Sequence, residues 1–261
     1  MGVLNVTPDS FSDGGRYLDP ALALDRARQM LEEGADIIDV GGESTRPGAA
    51  GTPERAELER IVPLIEQLAA LGAPVSADTR KAAVMRAAIA AGASMINDVF
   101  ALRAPDALGA IAGAAVPVAI CLMHMRGEPE TMQQGVSYVD VVAEVRAFLA
   151  ERAAVCESAG VGRERIVVDP GFGFGKTVAH NLVLLRRLPE LATLGYPVLV
   201  GLSRKSTLGA LTGRDIDERT PASVAAALAA VARGARIVRA HDVRETVDAL
   251  KVWNAVNEHT Q

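Results

Sequence analysis

The sequence predicts an α/β chain of the (β/α)8 TIM barrel class, folded as a single domain over residues 1–261. Three observations predict it. Eight short apolar runs alternate with Ala- and Leu-rich segments of helical spacing. The 261 residues suit one barrel of about 250 residues. Polar or charged residues follow nearly every run.

The runs read as strands at 2–6, 36–40, 74–77, 94–99, 116–123, 165–168, 197–201 and 236–239. Their apolar residues are nearly continuous, the pattern of parallel strands buried on both faces. Between them, Leu24, Ala27 and Leu31 share one helical face, as do Leu58, Ile61, Ile65 and Leu68, and Val243, Val247 and Leu250. Gly34, Gly72, Gly92, Gly160, Gly195 and Gly234 each stand where a helix turns into the next strand, because glycine tolerates the left-handed conformation that ends a helix. This gives eight strands and eight helices. An open doubly wound sheet has the same local alternation, but eight units in this length favour closure.

Composition narrows the function. A net charge of −5 argues against a nucleic-acid or anionic-membrane surface, though not against a small basic pocket. Cys121 and Cys156 are too few for a disulfide framework and read as reduced, buried thiols. No apolar stretch is long enough for a membrane span, and no signal peptide opens the chain. The expected location is the cytoplasm.

The strand ends carry the chemistry. In order they hold Asn5, Thr7, Asp9, Ser10 and Asp13; then Gly42-Glu43-Ser44-Thr45-Arg46-Pro47; Asp78-Thr79-Arg80; Asn97-Asp98; and Met123-His124-Met125-Arg126-Gly127. The last three are Asp169 with Pro170 to Lys176, Ser203-Arg204-Lys205-Ser206, and Arg239-Ala240-His241-Asp242. One such residue after one strand is commonly a helix N-cap, and Thr52, Thr220 and Asp242 read that way. Polar residues at nearly every strand end, converging on one mouth, point to an active site instead. Arg46, Lys205, Arg239 and His241 supply positive charge for a phosphate or diphosphate. Asp78, Asn97 and Asp169 suit a planar heterocycle with N–H donors, since a carboxylate takes two N–H bonds from an amidine edge. The run from Gly171 to Thr177 imitates a P-loop but has Pro170 where that motif needs glycine. It reads as a flexible loop over the mouth. His124, His180, His241 and His259 lack metal-ligand spacing, which leaves a phosphate-borne Mg²⁺ as the expected metal.

These motifs closely resemble those of the dihydropteroate synthase family. The resemblance rests on the eleven residues from Asn5 to Gly15, on Gly41 to Gly48, and on the strand-end motifs above, and runs from residue 2 to about 255. It implies a dimeric barrel that joins p-aminobenzoate to the CH₂ of 6-hydroxymethyl-7,8-dihydropterin diphosphate. The products are pyrophosphate and 7,8-dihydropteroate, a folate precursor, and sulfonamides compete with p-aminobenzoate.

The resemblance also implies residue roles. Asn5 is implied as the Mg²⁺-linked residue. Arg239 and His241 form the anion pocket. Thr45, Asp78, Asn97, Asp169 and Lys205 complete the pterin diphosphate site. Phe11, Asp13, Thr45, Arg46 and Pro47 belong to two loops that close over the reaction. Phe11, Pro47, Phe174, Lys205 and Ser206 flank p-aminobenzoate, and Asp13, Thr45, Arg46, Lys205, Arg239 and His241 are the implied catalytic set. Two other readings are a pterin-binding methyl transferase to a corrinoid and a non-catalytic pterin binder. The first has no reason to keep Arg239, His241 and the Thr45-Arg46 loop. The second would have lost its loop residues first.

Overall fold

The computed structural model describes residues 1–7, 19–44, 48 and 51–257. It is an α/β fold of eight parallel strands in one curled sheet, in sequence order. The strands are β1 (Gly2–Asn5), β2 (Ile38–Gly41), β3 (Val75–Asp78), β4 (Met95–Asp98), β5 (Ala119–Met123), β6 (Ile166–Asp169), β7 (Val198–Val200) and β8 (Ala235–Val238). All eight expected strands are present, several with shorter or shifted ends. β8 returns to the start of the sheet: Val3 N–H donates to Ala240 O at 3.0 Å, and Ala240 N–H to Met1 O at 3.0 Å.

Ten α-helices are described: α1 (Pro20–Glu32), α2 (Glu54–Ala70), α3 (Ala82–Ala90), α4 (Ala107–Ala112), α5 (Val141–Ser158), α6 (Val178–Arg186), α7 (Leu188–Ala192), α8 (Ser206–Thr212), α9 (Thr220–Val231) and α10 (Val243–Asn257). The expected eight become ten because two segments divide. The chain breaks at Arg187 ahead of Pro189, whose ring cannot continue a hydrogen-bonded turn. Gly213, at φ +69°, ends α8 before α9 begins. The six expected glycine turns are all left-handed, from φ +76° at Gly72 to +104° at Gly92.

Two of the expected N-caps are absent. Pro53, not Thr52, precedes α2, and Arg219 precedes α9. Thr52 gives its N–H to Glu43 instead. The Asp242 carboxylate, just before α10, is held by the Arg204 guanidinium at 3.1 and 2.5 Å.

The strand pleat sorts the interior into two levels. Met95, Cys121, Val167 and Leu199 form one apolar cluster, with Met1, Ala119 and Ile237 against it. Two residues further along, the same faces carry Asn97, Met123 and Asp169, and after β8 comes Arg239. The inner face is therefore apolar at one end and largely polar at the other. On the opposite face Ile38, Val40, Val75 and Leu122 pack in one buried core with helix residues such as Ile61 and Ile65 of α2. Both cysteines are free and buried. Among the described residues no helix is long and apolar enough to cross a membrane.

Candidate active site

Register aligns the first four strand ends. Asn5 pairs with Gly41, Gly41 with Asp78 and Asp78 with Asn97. Gly41 keeps this row open, because a Cβ there would stand 3.4 Å from Asn5 Oδ1 and 3.5 Å from Asp78 Cβ. A cavity of about 350 Å³ opens above it. Asn5, Asp78, Phe174, Lys205, Ser206, Arg239 and His241 all line this space. Asn97 and Asp169 are only 5% and 6% exposed and are not among its lining residues. Phe11, Asp13, Thr45, Arg46 and Pro47 lie outside the described residues.

Arg239 does not stand in the cavity as a bare cation. Its Nε donates to Asp39 Oδ2 at 2.6 Å, and its second terminal nitrogen to Asp78 Oδ2 at 2.8 Å. Asn97 Nδ2 donates to the same Asp39 oxygen at 3.2 Å. Asp39 is completely buried, and its other oxygen has no protein partner. Sequence reasoning missed this residue because it lies inside an apolar run. A lone Asp two positions before the strand-ending Gly41 was the available signal. Burial pushes the Asp78 carboxyl up to about 7; Arg239 opposes this, and Asp39, Glu57 and Asp98 add to it. Burial likewise raises Asp169, against the pull of Lys205 and of the Gly171 N–H that it accepts at 2.7 Å.

Lys205 reaches the Phe172 carbonyl and stands 4.7 Å from the centre of the Phe174 ring. Burial lowers its pKa to about 8, with Asp169 opposing and Arg239 adding to the shift. Just before it, Arg204 adopts a left-handed φ of +60°, a conformation that costs a non-glycine residue energy. Three contacts hold it there: its N–H to Ser223 Oγ at 2.9 Å, its carbonyl from Arg219 at 3.0 Å, and its guanidinium on Asp242. Arg219 also lines the cavity, and the sequence reading did not single it out.

His241 gives its backbone N–H to Ser203 Oγ at 3.1 Å, and its Nδ1 lies 3.1 Å from the same oxygen. Glu43, on the cavity rim, accepts from Lys81 at 2.7 Å and Arg80 at 3.3 Å. Burial raises this carboxyl, but the two cations outweigh it and hold it below its ordinary value.

The segment from Gly171 to Lys176 is not the flexible loop the sequence suggests. Lys176 is 3% exposed, and its ammonium lies 2.9 Å from the Gly171 and Phe174 carbonyls. It also meets His124 Nδ1 at 2.9 Å and the His124 carbonyl at 3.3 Å. Gln133 and Tyr138 hold the Gly173 and Gly175 carbonyls at 2.6 and 2.9 Å. Lys176 thus ties its own loop down.

Among the described residues no three His, Cys, Asp or Glu side chains cluster as metal ligands. Asn5 lines the cavity and brings one neutral amide oxygen to it as a donor. That donor set fits a Mg²⁺ whose other ligands are diphosphate and water, and does not fit an all-protein cage.

Comparison with known proteins agrees with this geometry. Residues 1–241 match the pterin binding enzyme family. The dihydropteroate synthase of Neisseria meningitidis serogroup C is 54% identical, over 98% of this chain and 92% of its own. The Yersinia pestis dihydropteroate synthase, solved with a sulfonamide drug, superposes with a TM-score of 0.96 at 46% identity, covering 99% of this chain and 94% of its own. The Xanthomonas albilineans enzyme, solved with 4-aminobenzoic acid, gives 0.92 at 53%, covering 99% and 93%. With this inner polar ring and near-full-length likeness, the chain belongs to the pterin binding enzyme family as a dihydropteroate synthase.

Proposed function

We propose that this chain condenses p-aminobenzoate with (7,8-dihydropterin-6-yl)methyl diphosphate, giving 7,8-dihydropteroate and pyrophosphate for tetrahydrofolate synthesis, and that sulfonamides compete at its amine site. One observation carries the reading. Asn5, Asp78, Arg239 and His241 share a single cavity with Phe174, Lys205 and Ser206, so an anion site and an aromatic amine site meet in one space.

The chemistry asks little beyond placement. The bond from CH₂ to the diphosphate oxygen breaks, and the electron pair leaves with diphosphate. The amine nitrogen bonds to the CH₂ and gives up one proton. The electron-rich reduced pterin spreads the positive charge on CH₂. Lys205, Arg239 and the His241 imidazole stabilise the departing polyanion. Asp78, Asn97 and Asp169 hold the pterin, and the Phe174 ring packs the incoming aniline. Thr45, Arg46 and Asp13 complete the catalytic set, with Phe11 and Pro47 at the amine. Aniline is already neutral near pH 7, so no strong base is required. Mg²⁺ held at Asn5 would supply charge neutralisation on the diphosphate.

Several further features belong to this proposal. The strands form a closed barrel, supported by the two hydrogen bonds that join Ala240, just after β8, to Met1 and Val3. Residues 1–261 act as one domain, supported by a single ordered sheet. The free buried thiols support a cytoplasmic location. A homodimer follows from the family resemblance. The test is to incubate purified protein with the pterin diphosphate, p-aminobenzoate and Mg²⁺ and to measure both products. Pterin binding without pyrophosphate or dihydropteroate would overturn the proposed reaction.

A further inference from the structure

Asn181, on the first turn of α6, is 3% exposed and uses both ends of its amide. Its Oδ1 accepts the Gly173 N–H at 2.9 Å, and its Nδ2 donates to Thr207 Oγ1 at 2.9 Å. The orientation follows from the partners. A backbone N–H can only donate, so the amide oxygen faces Gly173 and the NH₂ faces Thr207. Thr207 is itself only 5% exposed, one residue beyond Ser206.

The two segments this amide joins carry the amine-site residues. Gly173 precedes Phe174, and a Cβ at Gly173 would stand 3.3 Å from Lys205 Cδ, so the lysine stem packs on the glycine. Lys205 also reaches Phe172 O from the other segment. A buried amide bonded at both ends favours one arrangement of its neighbours, because a shift strands its oxygen or its NH₂. We propose that Asn181 is a positioning residue for the amine half of the reaction. It braces the Gly173–Phe174 segment against Lys205, Ser206 and Thr207, and so sets the gap that p-aminobenzoate enters. The inference rests on the proposed reaction and adds a residue to it.

The test replaces Asn181→Leu and, separately, Thr207→Val, with Thr207→Ser as the conservative control. Kinetics give KM for p-aminobenzoate. Calorimetry gives the affinity for pterin diphosphate, and for p-aminobenzoate on protein saturated with pterin and pyrophosphate. The expected result is a KM for p-aminobenzoate raised about 10-fold in Asn181→Leu, the scale of a small misplacement, with pterin diphosphate affinity held. Thr207→Val should show the same split more weakly, and Thr207→Ser should behave as wild type. If Asn181→Leu does not fold, Thr207→Val decides. An unchanged p-aminobenzoate affinity, or an equal loss for both substrates, overturns the brace. Wild-type protein that forms no dihydropteroate overturns the reaction, whereas the binding comparison still judges the brace.

Discussion

Arg239 Nε lies 2.6 Å from Asp39 Oδ2, a contact between the end of the last strand and the middle of the second. The Asp39 side chain is wholly buried and the Arg239 side chain is 21% exposed. Asp39 thus fixes the direction of the cation while Arg239 faces the cavity with its remaining edge. Asp39→Asn keeps the shape and removes the charge. It should cost on the order of 3 kcal/mol of stability, as breaking a buried pair does. The Asn97 amide, which shares the same oxygen, should lose its anchor. Urea unfolding checks the first effect, and pterin calorimetry the second. Unaltered values would show that Asp78 alone suffices to hold Arg239.

Asp78 should make pterin binding depend on pH. Burial first, then Asp39, Glu57 and Asp98, raise its carboxyl to about 7 against the pull of Arg239. Ligand N–H donors need the ionised acceptor. Affinity should therefore fall as pH drops from about 8 to about 6, and binding near pH 6 should release a proton. Asp78→Asn should flatten the profile. Calorimetry in two buffers of different ionisation enthalpy reads the proton directly.

Gly171 lies at φ +67°, and a Cβ there would run into the backbone carbonyl of His124. Neither that carbonyl nor the loop has room to give, because Lys176 binds both. Gly171→Ala should lose roughly 3 kcal/mol or more by strain and overlap. Thermal unfolding and loss of pterin binding together would register it. A stable variant with full binding would contradict the tight loop.

Lys176→Met should destabilise by about 3 kcal/mol near neutral pH, since it strands the Phe174 and His124 carbonyls and leaves the Gly171 carbonyl with only the Phe174 N–H. Burial lowers the folded pKa from 10.5 to about 7. The folded value lies below the unfolded one, so the wild-type protein gains stability as pH rises from about 7 toward 10, and loses it as pH falls back through 7. The difference between wild type and variant should accordingly be larger at about pH 9 than at about pH 7. A constant difference across that range would mean the lysine keeps its charge throughout.

Most of the architecture was legible in the chain. Apolar runs such as 36–40 and 165–168, each preceded by a left-handed glycine turn, specify parallel strands and helices through local periodicity and backbone sterics. The strand-end motifs specify which residues are polar at the mouth, because a carboxylate or guanidinium at the end of a buried run has no apolar reason to be there. Asn5, Asp78, Lys205, Arg239 and His241 were recognisable for that reason, and all line one cavity.

Only the tertiary structure decided who partners whom. Asp39 lies 200 positions from Arg239, and no local pattern reports such a separation. The run from Gly171 to Thr177 read as a flexible loop, whereas the fold brings Lys176 onto the His124, Gly171 and Phe174 carbonyls. Nothing local marks Asn181, and only the fold brings the segments after β6 and β7 to either side of it. Periodicity records which face of an element is buried, a property of neighbours along the chain. Hydrogen bonds and ion pairs depend on distances across the sheet, which exist only once the strands are in register.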